Sequence, residues 1–214
     1  MKLKYAIAAA AVLAASAQAG YVQSDTTYVV ITLPVAQGYN FYGVAVQPLT
    51  EQSTYAQVFG VENNAEFLNG AGESSNKIYG DDPAVFSTPL WYENKGETAG
   101  TIYQIGVDNS AAEVEYVVKS GETYPLAITK DMTLDSFTSQ LSENSYQLYN
   151  KKANAVSVWD ASSKAYQTYF YNPKKNSWQN TKYKDVTASE ISIPAGKAVY
   201  VQISTESKLS KITL

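Results

Sequence analysis

Three observations predict an all-β fold built from two similar antiparallel β modules, sandwich or barrel-like, each with one short helix and packed as a continuous body. Tyrosine is abundant alongside Val, Ile and Thr, residue types that suit a pleated, half-buried surface better than a helix. Apolar residues alternate with period two across several short stretches, as in Val114, Tyr116, Val118 and Tyr124, Leu126, Ile128, the pattern of strands with one buried face. Thirdly, one glycine-containing arrangement returns three times at similar spacing.

In chain order, the first element is an export signal. Lys2 and Lys4 give a positive start, Ala6 to Ala15 an apolar stretch, and Ala17-Gln18-Ala19 a small-residue cleavage site. That stretch falls short of the roughly 20 apolar residues needed to cross a bilayer. Residues 1–19 are therefore expected to be removed, leaving a soluble mature chain with no membrane insertion, located in the periplasm, on the cell surface or outside the cell. The first β module is expected over residues 20–119 and the second over 120–214.

Each glycine unit reads as a hairpin. Ile31 and Leu33 precede Pro34-Val35-Ala36-Gln37-Gly38, and Phe41, Val44 and Val46 return; Val114 to Val118 precede Ser120-Gly121-Glu122, and Tyr124 to Ile128 return; Ile191 and Ile193 precede Pro194-Ala195-Gly196-Lys197, and Val199 to Ile203 return. Gly38, Gly121 and Gly196 lie 83 and 75 residues apart, which reads as an internal repeat. After the first two, Tyr55 with Phe59 and Phe137 with Leu141 have helical spacing and lie 82 residues apart, with Thr50 and Thr133 as N-caps. Further strands are expected at Lys77-Ile78-Tyr79, at Pro89 to Asn94, at Ala155 to Asp160 and at Tyr166 to Tyr171, with Trp178 after the next loop. The polar stretch from Asn63 to Ser75 reads as a long loop.

The run Asn154 to Asp160 with its Val158-Trp159-Asp160, then Tyr166-Gln167-Thr168-Tyr169-Phe170-Tyr171, Trp178 and Ile193-Pro194-Ala195-Gly196 resembles a group of uncharacterised bacterial exported β-rich proteins. The resemblance covers mainly residues 120–204 and more weakly 28–119. It implies a shared β fold through core aromatics and turn residues, and it carries no activity or site residues.

Composition bounds the chemistry. The mature chain has no His, Cys or Arg, which excludes Ser-His-Asp and Cys-His nucleophile systems and the metal sites that need imidazole or thiolate. No cofactor and no metal site is expected; Asp81, Asp82 and Asp160 sit beside turns, where Asp hydrogen-bonds its own backbone. With both signal lysines removed, 14 Lys stand against 20 Asp plus Glu, a balance that argues against a nucleic-acid partner. Paired-carboxylate glycosidase chemistry survives the exclusion. The expectation is a non-enzymatic exported structural or interaction protein of the cell envelope or extracellular space, with a protein partner or self-association by strand addition. The alternative is a carbohydrate-binding module whose platform comprises Trp159, Trp178, Tyr169, Tyr171 and Trp91.

Overall fold

The computed structural model describes residues 26–70, 77–96, 98–142, 153–161 and 163–214. The expected signal at 1–19 lies outside the described residues. The chain is all-β, with antiparallel sheets packed in sandwich fashion and no closed barrel among the described residues.

The first half contributes β1 (Tyr28–Val35), β2 (Gly38–Gly43), helix α1 (Tyr55–Phe59), β3 (Glu66–Asn69), β4 (Lys77–Tyr79), β5 (Pro89–Asn94) and β6 (Gly100–Val107). A four-stranded sheet has the order β2-β5-β3-β4, and β1 pairs with β6. The second half contributes β7 (Glu115–Val117), β8 (Thr123–Ala127), β9 (Met132–Thr133), a 3-10 turn (Leu134–Phe137) running into α2 (Thr138–Leu141), then β10 (Ala155–Asp160), β11 (Ala165–Asn172), β12 (Ser177–Asn180), β13 (Asp185–Val186), β14 (Ser192–Ile193), β15 (Ala198–Gln202) and β16 (Lys211–Thr213). Here six strands run β13-β12-β11-β10-β15-β8, while β14 pairs with β9 and β16 with β7.

The three glycine hairpins require correction. Gly38, Gly121 and Gly196 all take left-handed backbone, with φ of 87°, 81° and 84°, which suits a residue without a Cβ. Yet none of the three sits at a hairpin tip. β1 pairs with β6 while β2 pairs with β5; β7 pairs with β16 while β8 pairs with β15; β14 pairs with β9 while β15 pairs with β8 and β10. Each glycine therefore bends a two-stranded ribbon partway along its length and sends it from one sheet into another, the corner device of packed sheets. The corners interlock through backbone bonds: Gly43 N–H donates to Gly196 O at 2.9 Å, Gly196 N–H to Ile128 O at 2.8 Å, and Gly121 N–H to Ile203 O at 3.0 Å. Alternation on both sides of a glycine is identical for a tip and a bend, so side-chain period cannot separate them.

Two smaller corrections follow. Helix α1 is capped by Thr54, not Thr50: the Thr54 hydroxyl accepts from Gln57 N–H at 3.4 Å and the Gln57 side chain accepts from Thr54 N–H at 2.9 Å, a capping box. Thr50 instead lies within hydrogen-bond distance of the Ser53 hydroxyl in the preceding turn. Within the expected loop from Asn63 to Ser75, Glu66–Asn69 forms β3, which pairs with β4 and β5 and buries Phe67; residues 71–75 lie outside the described residues. Thr133 precedes the 3-10 turn as expected, donating its N–H to Ser136 Oγ at 3.3 Å, and the β10–β11 hairpin forms where expected.

Two large hydrophobic clusters result. One gathers Leu33, Tyr42, Val44, Tyr55, Val58, Phe59, Phe67 and Leu90. The other gathers Leu126, Leu134, Phe137, Leu141, Val156, Tyr169, Tyr171, Trp178, Val199 and Val201, and reaches back to Tyr116 and Val118. Buried amides staple loops to each: Gln104 accepts from Ala45 N–H at 2.8 Å and donates to Gly43 O at 2.6 Å, while Asn154 donates to Leu141 O at 2.9 Å and accepts from Ser204 N–H at 2.8 Å. Such satisfied buried amides fix loop position where an unpaired one would be costly.

Candidate binding surface at the aromatic seam

Between the two clusters the four-stranded and six-stranded sheets meet through a third, aromatic one: Phe41, Trp91 and Ala198, packed with Leu68, Trp159 and Tyr200. Period-two alternation builds it. On β2, Tyr42 enters the first core while Phe41 faces the seam; on β5, Leu90 and Tyr92 pack with that core and Trp91 faces the seam; on β15, Val199 and Val201 enter the second core and Ala198 and Tyr200 face the seam. Strands apolar on both faces are strands covered on both faces.

The geometry is ordered. Phe41 is stacked between Trp91 (centroids 4.5 Å apart, planes at 19°) and Tyr200 (4.9 Å, 18°). Trp159 meets Trp91 edge-on at 5.1 Å and its cross-strand neighbour Tyr166 at 4.9 Å; Tyr166 also meets Tyr200 at 5.5 Å. Polar tips bond across the seam: Trp91 Nε1–H donates to Tyr200 Oη at 3.3 Å, Trp159 Nε1–H to the Tyr39 carbonyl at 3.0 Å, and the Tyr200 hydroxyl to the Gly70 carbonyl. Small residues permit the approach, since a Cβ on Gly43 would lie 2.5 Å from Ala127 Cβ and one on Gly70 2.9 Å from Pro125 Cβ. Burial, then the neighbouring Tyr200, pushes the Tyr166 phenol above its ordinary value, so it is neutral across the physiological range.

The five residues expected to form one platform separate into two groups. Trp91 and Trp159 come together in the seam. Tyr169, Tyr171 and Trp178 lie in the second core with their polar atoms bonded internally: Tyr169 Oη donates to Gln167 Oε1 at 3.0 Å, Tyr171 Oη to Asn176 Oδ1 at 2.5 Å, and Trp178 Nε1–H to Thr138 Oγ1 at 2.8 Å. Trp178 is 2% exposed and offers no face to a ligand. What remains accessible is a rim where Tyr39 (47% exposed) and Tyr166 (40%) flank the half-buried Trp159. Tyr39, Phe41 and Tyr200 were not singled out from sequence as site residues. Their signal is their phase: each is one residue out of step with core-facing neighbours.

No protein-family model, curated protein or solved structure matches this chain.

An open groove of about 620 Å³ is lined by Glu62, Glu66, Glu93, Tyr92, Asn94 and Lys95, among others. Lys77, 3.0 Å from Glu66, holds that carboxyl below the usual carboxylate range by hydrogen bond and charge, so Glu66 is unsuited to donate a proton as a general acid at neutral pH. Burial and the charge of Glu62 push the Tyr92 phenol up. Among the described residues no group of three His, Cys, Asp or Glu is placed to hold a metal ion. Asp160 accepts from Ser163 Oγ at 2.9 Å and Gln167 Nε2 at 3.1 Å, and Asp82 from Tyr79 N–H at 2.7 Å, so both serve turns. No helix among the described residues is long and apolar enough to cross a membrane.

Proposed function

We propose that the chain is a non-enzymatic exported protein, a structural or interaction component of the cell envelope or extracellular space, that engages a protein partner through the Tyr39–Trp159–Tyr166 rim. The observation that carries this reading is that these rings are partly exposed and already locked in place by the seam beneath them. Ordering them on binding costs little side-chain entropy, and rigid aromatic anchors dominate interface energies. Export rests on the reading of residues 1–19, and kinship with the resembled exported β-rich proteins belongs to the same proposal. The test is a photo-crosslinking side chain at Tyr166 in the producing cell. A discrete protein adduct, lost when Tyr39 is changed to Ala, is the expected result; absence of any protein adduct would overturn it.

A carbohydrate-binding role is the second reading. It is favoured by the same exposed rings, whose flat faces and polar tips suit stacking on a sugar and bonding its hydroxyls. Trp178→Ala does not test it, because that residue is core. A glycan array comparing the native protein with Tyr166→Ala separates the readings: retention of a glycan by the native protein alone supports the carbohydrate role, and no retention at millimolar glycan removes it. Glycan hydrolysis abolished by Glu62→Gln would sink the non-enzymatic assignment.

A further inference from the structure

Strand β1 is the outermost strand most exposed to pairing with another chain. It is eight residues long, carries no charge, and among the described residues pairs with β6 alone, which is also uncharged. Other outermost strands among the described residues are shorter or interrupted: β13 is two residues with Asp185, β4 is three residues with Lys77 tied to Glu66, β7–β16 carries the Lys211–Glu115 pair at 2.8 Å, β9 and β14 are two residues each, β8 is five residues with Pro125 among them, and the outer side of β6 is bridged at Val107 by Gln47. The outer side of β2 is met at Tyr42 by Lys197. Short length and edge charges are the usual defences against edge-to-edge pairing, and β1 has neither.

The ladder fixes which groups are open. Asp108 N–H donates to Thr27 O at 2.7 Å, continuing the β1–β6 register in which Tyr28 faces Val107. Thr27, Val29, Ile31 and Leu33 therefore direct their backbone groups at β6, and Tyr28, Val30 and Thr32 direct theirs outward. The open section ends at Pro34, which has no N–H and whose carbonyl already accepts the Tyr42 hydroxyl at 2.6 Å. Tyr28 is 44% and Val30 56% exposed.

We propose that β1 pairs with β1 of a second copy, antiparallel, about a two-fold axis at Val30. This surface is separate from the aromatic rim, and the proposal stands without it. Three alternate residues with open donors and acceptors are self-complementary under that axis: Val30 faces Val30 of the second copy, and Tyr28 faces Thr32, each pair exchanging both bonds. Val–Val and Tyr–Thr are favourable cross-strand neighbours. The chain is acidic overall, with formal net charge −4, and an uncharged strip lets two such bodies approach without like charges facing. Pro34 limits the ladder to these residues, so pairing closes as a dimer.

The chain has no cysteine, which makes the test direct. At a two-fold hydrogen-bonded pair the Cα atoms lie about 5.5 Å apart, within disulfide reach. Val30→Cys in the purified protein should cross-link to dimer under mild oxidation, while Val117→Cys, 73% exposed on β7, should remain monomer. Without cysteines, Val30→Lys should halve the sedimenting mass while leaving the folded circular-dichroism spectrum unchanged, because the side chain already faces solvent. Equal cross-linking at the two positions, or a monomeric native protein at its highest soluble concentration, would overturn the pairing.

Discussion

The aromatics of the second core and those of the seam are both rich in Trp and Tyr and do different work. Tyr169, Tyr171 and Trp178 fill the second core, and their polar tips bond around it, to Gln167, Asn176 and Thr138. Phe41, Trp91, Trp159 and Tyr200 lie between sheets from the two halves, and their polar tips bond across, to Tyr39, Tyr200 and Gly70. A core aromatic stabilises its own unit. A seam aromatic couples two units, so its removal tests whether the halves unfold together.

The largest expected effect comes from truncating one ring in each region. Trp178→Ala should cost about 3–5 kcal/mol, as large-to-small changes in packed cores do, and shift a single urea transition. Phe41→Ala removes the ring stacked between Trp91 and Tyr200, so it should split the transition, with seam fluorescence from Trp91 and Trp159 changing before Trp178 reports loss of the second core. A single coincident transition for Phe41→Ala would mean that the corners alone hold the halves together.

The corners offer the next comparison. Gly38→Ala keeps open space around the new Cβ, leaving only the positive-φ strain, about 1–3 kcal/mol. At Gly196 the Cβ would lie 2.8 Å from Leu33 Cδ2, so a clash with a side chain of the first core adds to the same strain and the loss in urea midpoint should be the larger. Equal losses would show that Leu33 yields freely. Removing single hydroxyls is a smaller perturbation. Tyr200→Phe strips both the Gly70 bond and the acceptor for Trp91 Nε1–H, whereas Tyr171→Phe strips one bond within a turn. Each lost bond is worth about 0.5–1.5 kcal/mol, so Tyr200→Phe should be the more damaging by thermal melt; the reverse order would remove the cross-seam bonds from the account of stability.

Much of this was readable from residues alone, and the failures share a cause. Period two located most strands and both ring sets, because each strand must choose a face. It could not say which strand lies beside which, so Val114–Val118 and Tyr124–Ile128 read as partners when β7 in fact seeks β16, about a hundred positions away. The same blindness merged Trp91 and Trp159 with Trp178. Trp159 and Trp178 lie on the same six-stranded sheet, yet one belongs to the seam and the other to the core, a matter of register and of which layer covers that face. A clue stands at Phe41, Val44 and Val46, where the apolar phase shifts from odd to even positions across Gly43, the residue at which β2 ends.

Alkaline pH separates the two regions most gently, since its effect is confined to one end of the scale. Burial raises the pKa of Tyr166 in the seam, with Tyr200 adding to it, and burial also raises that of Tyr169 in the core. Below the ordinary tyrosine value of 10 both are protonated whether folded or not, and stability is independent of pH through them. Above it the unfolded chain releases its phenolic protons first, so the folded state binds more protons and stability falls until the raised folded pKa is passed. Lys197, whose pKa is lowered by burial, works in the opposite sense between its lowered value and 10.5, and Lys197→Met removes that contribution. In this variant, Tyr166→Phe should flatten the loss above pH 10 more than Tyr169→Phe does, because Tyr166 has a second cause of elevation. Urea midpoints measured from pH 8 to pH 11 decide it, and equal slopes for the two variants would assign the loss to burial alone.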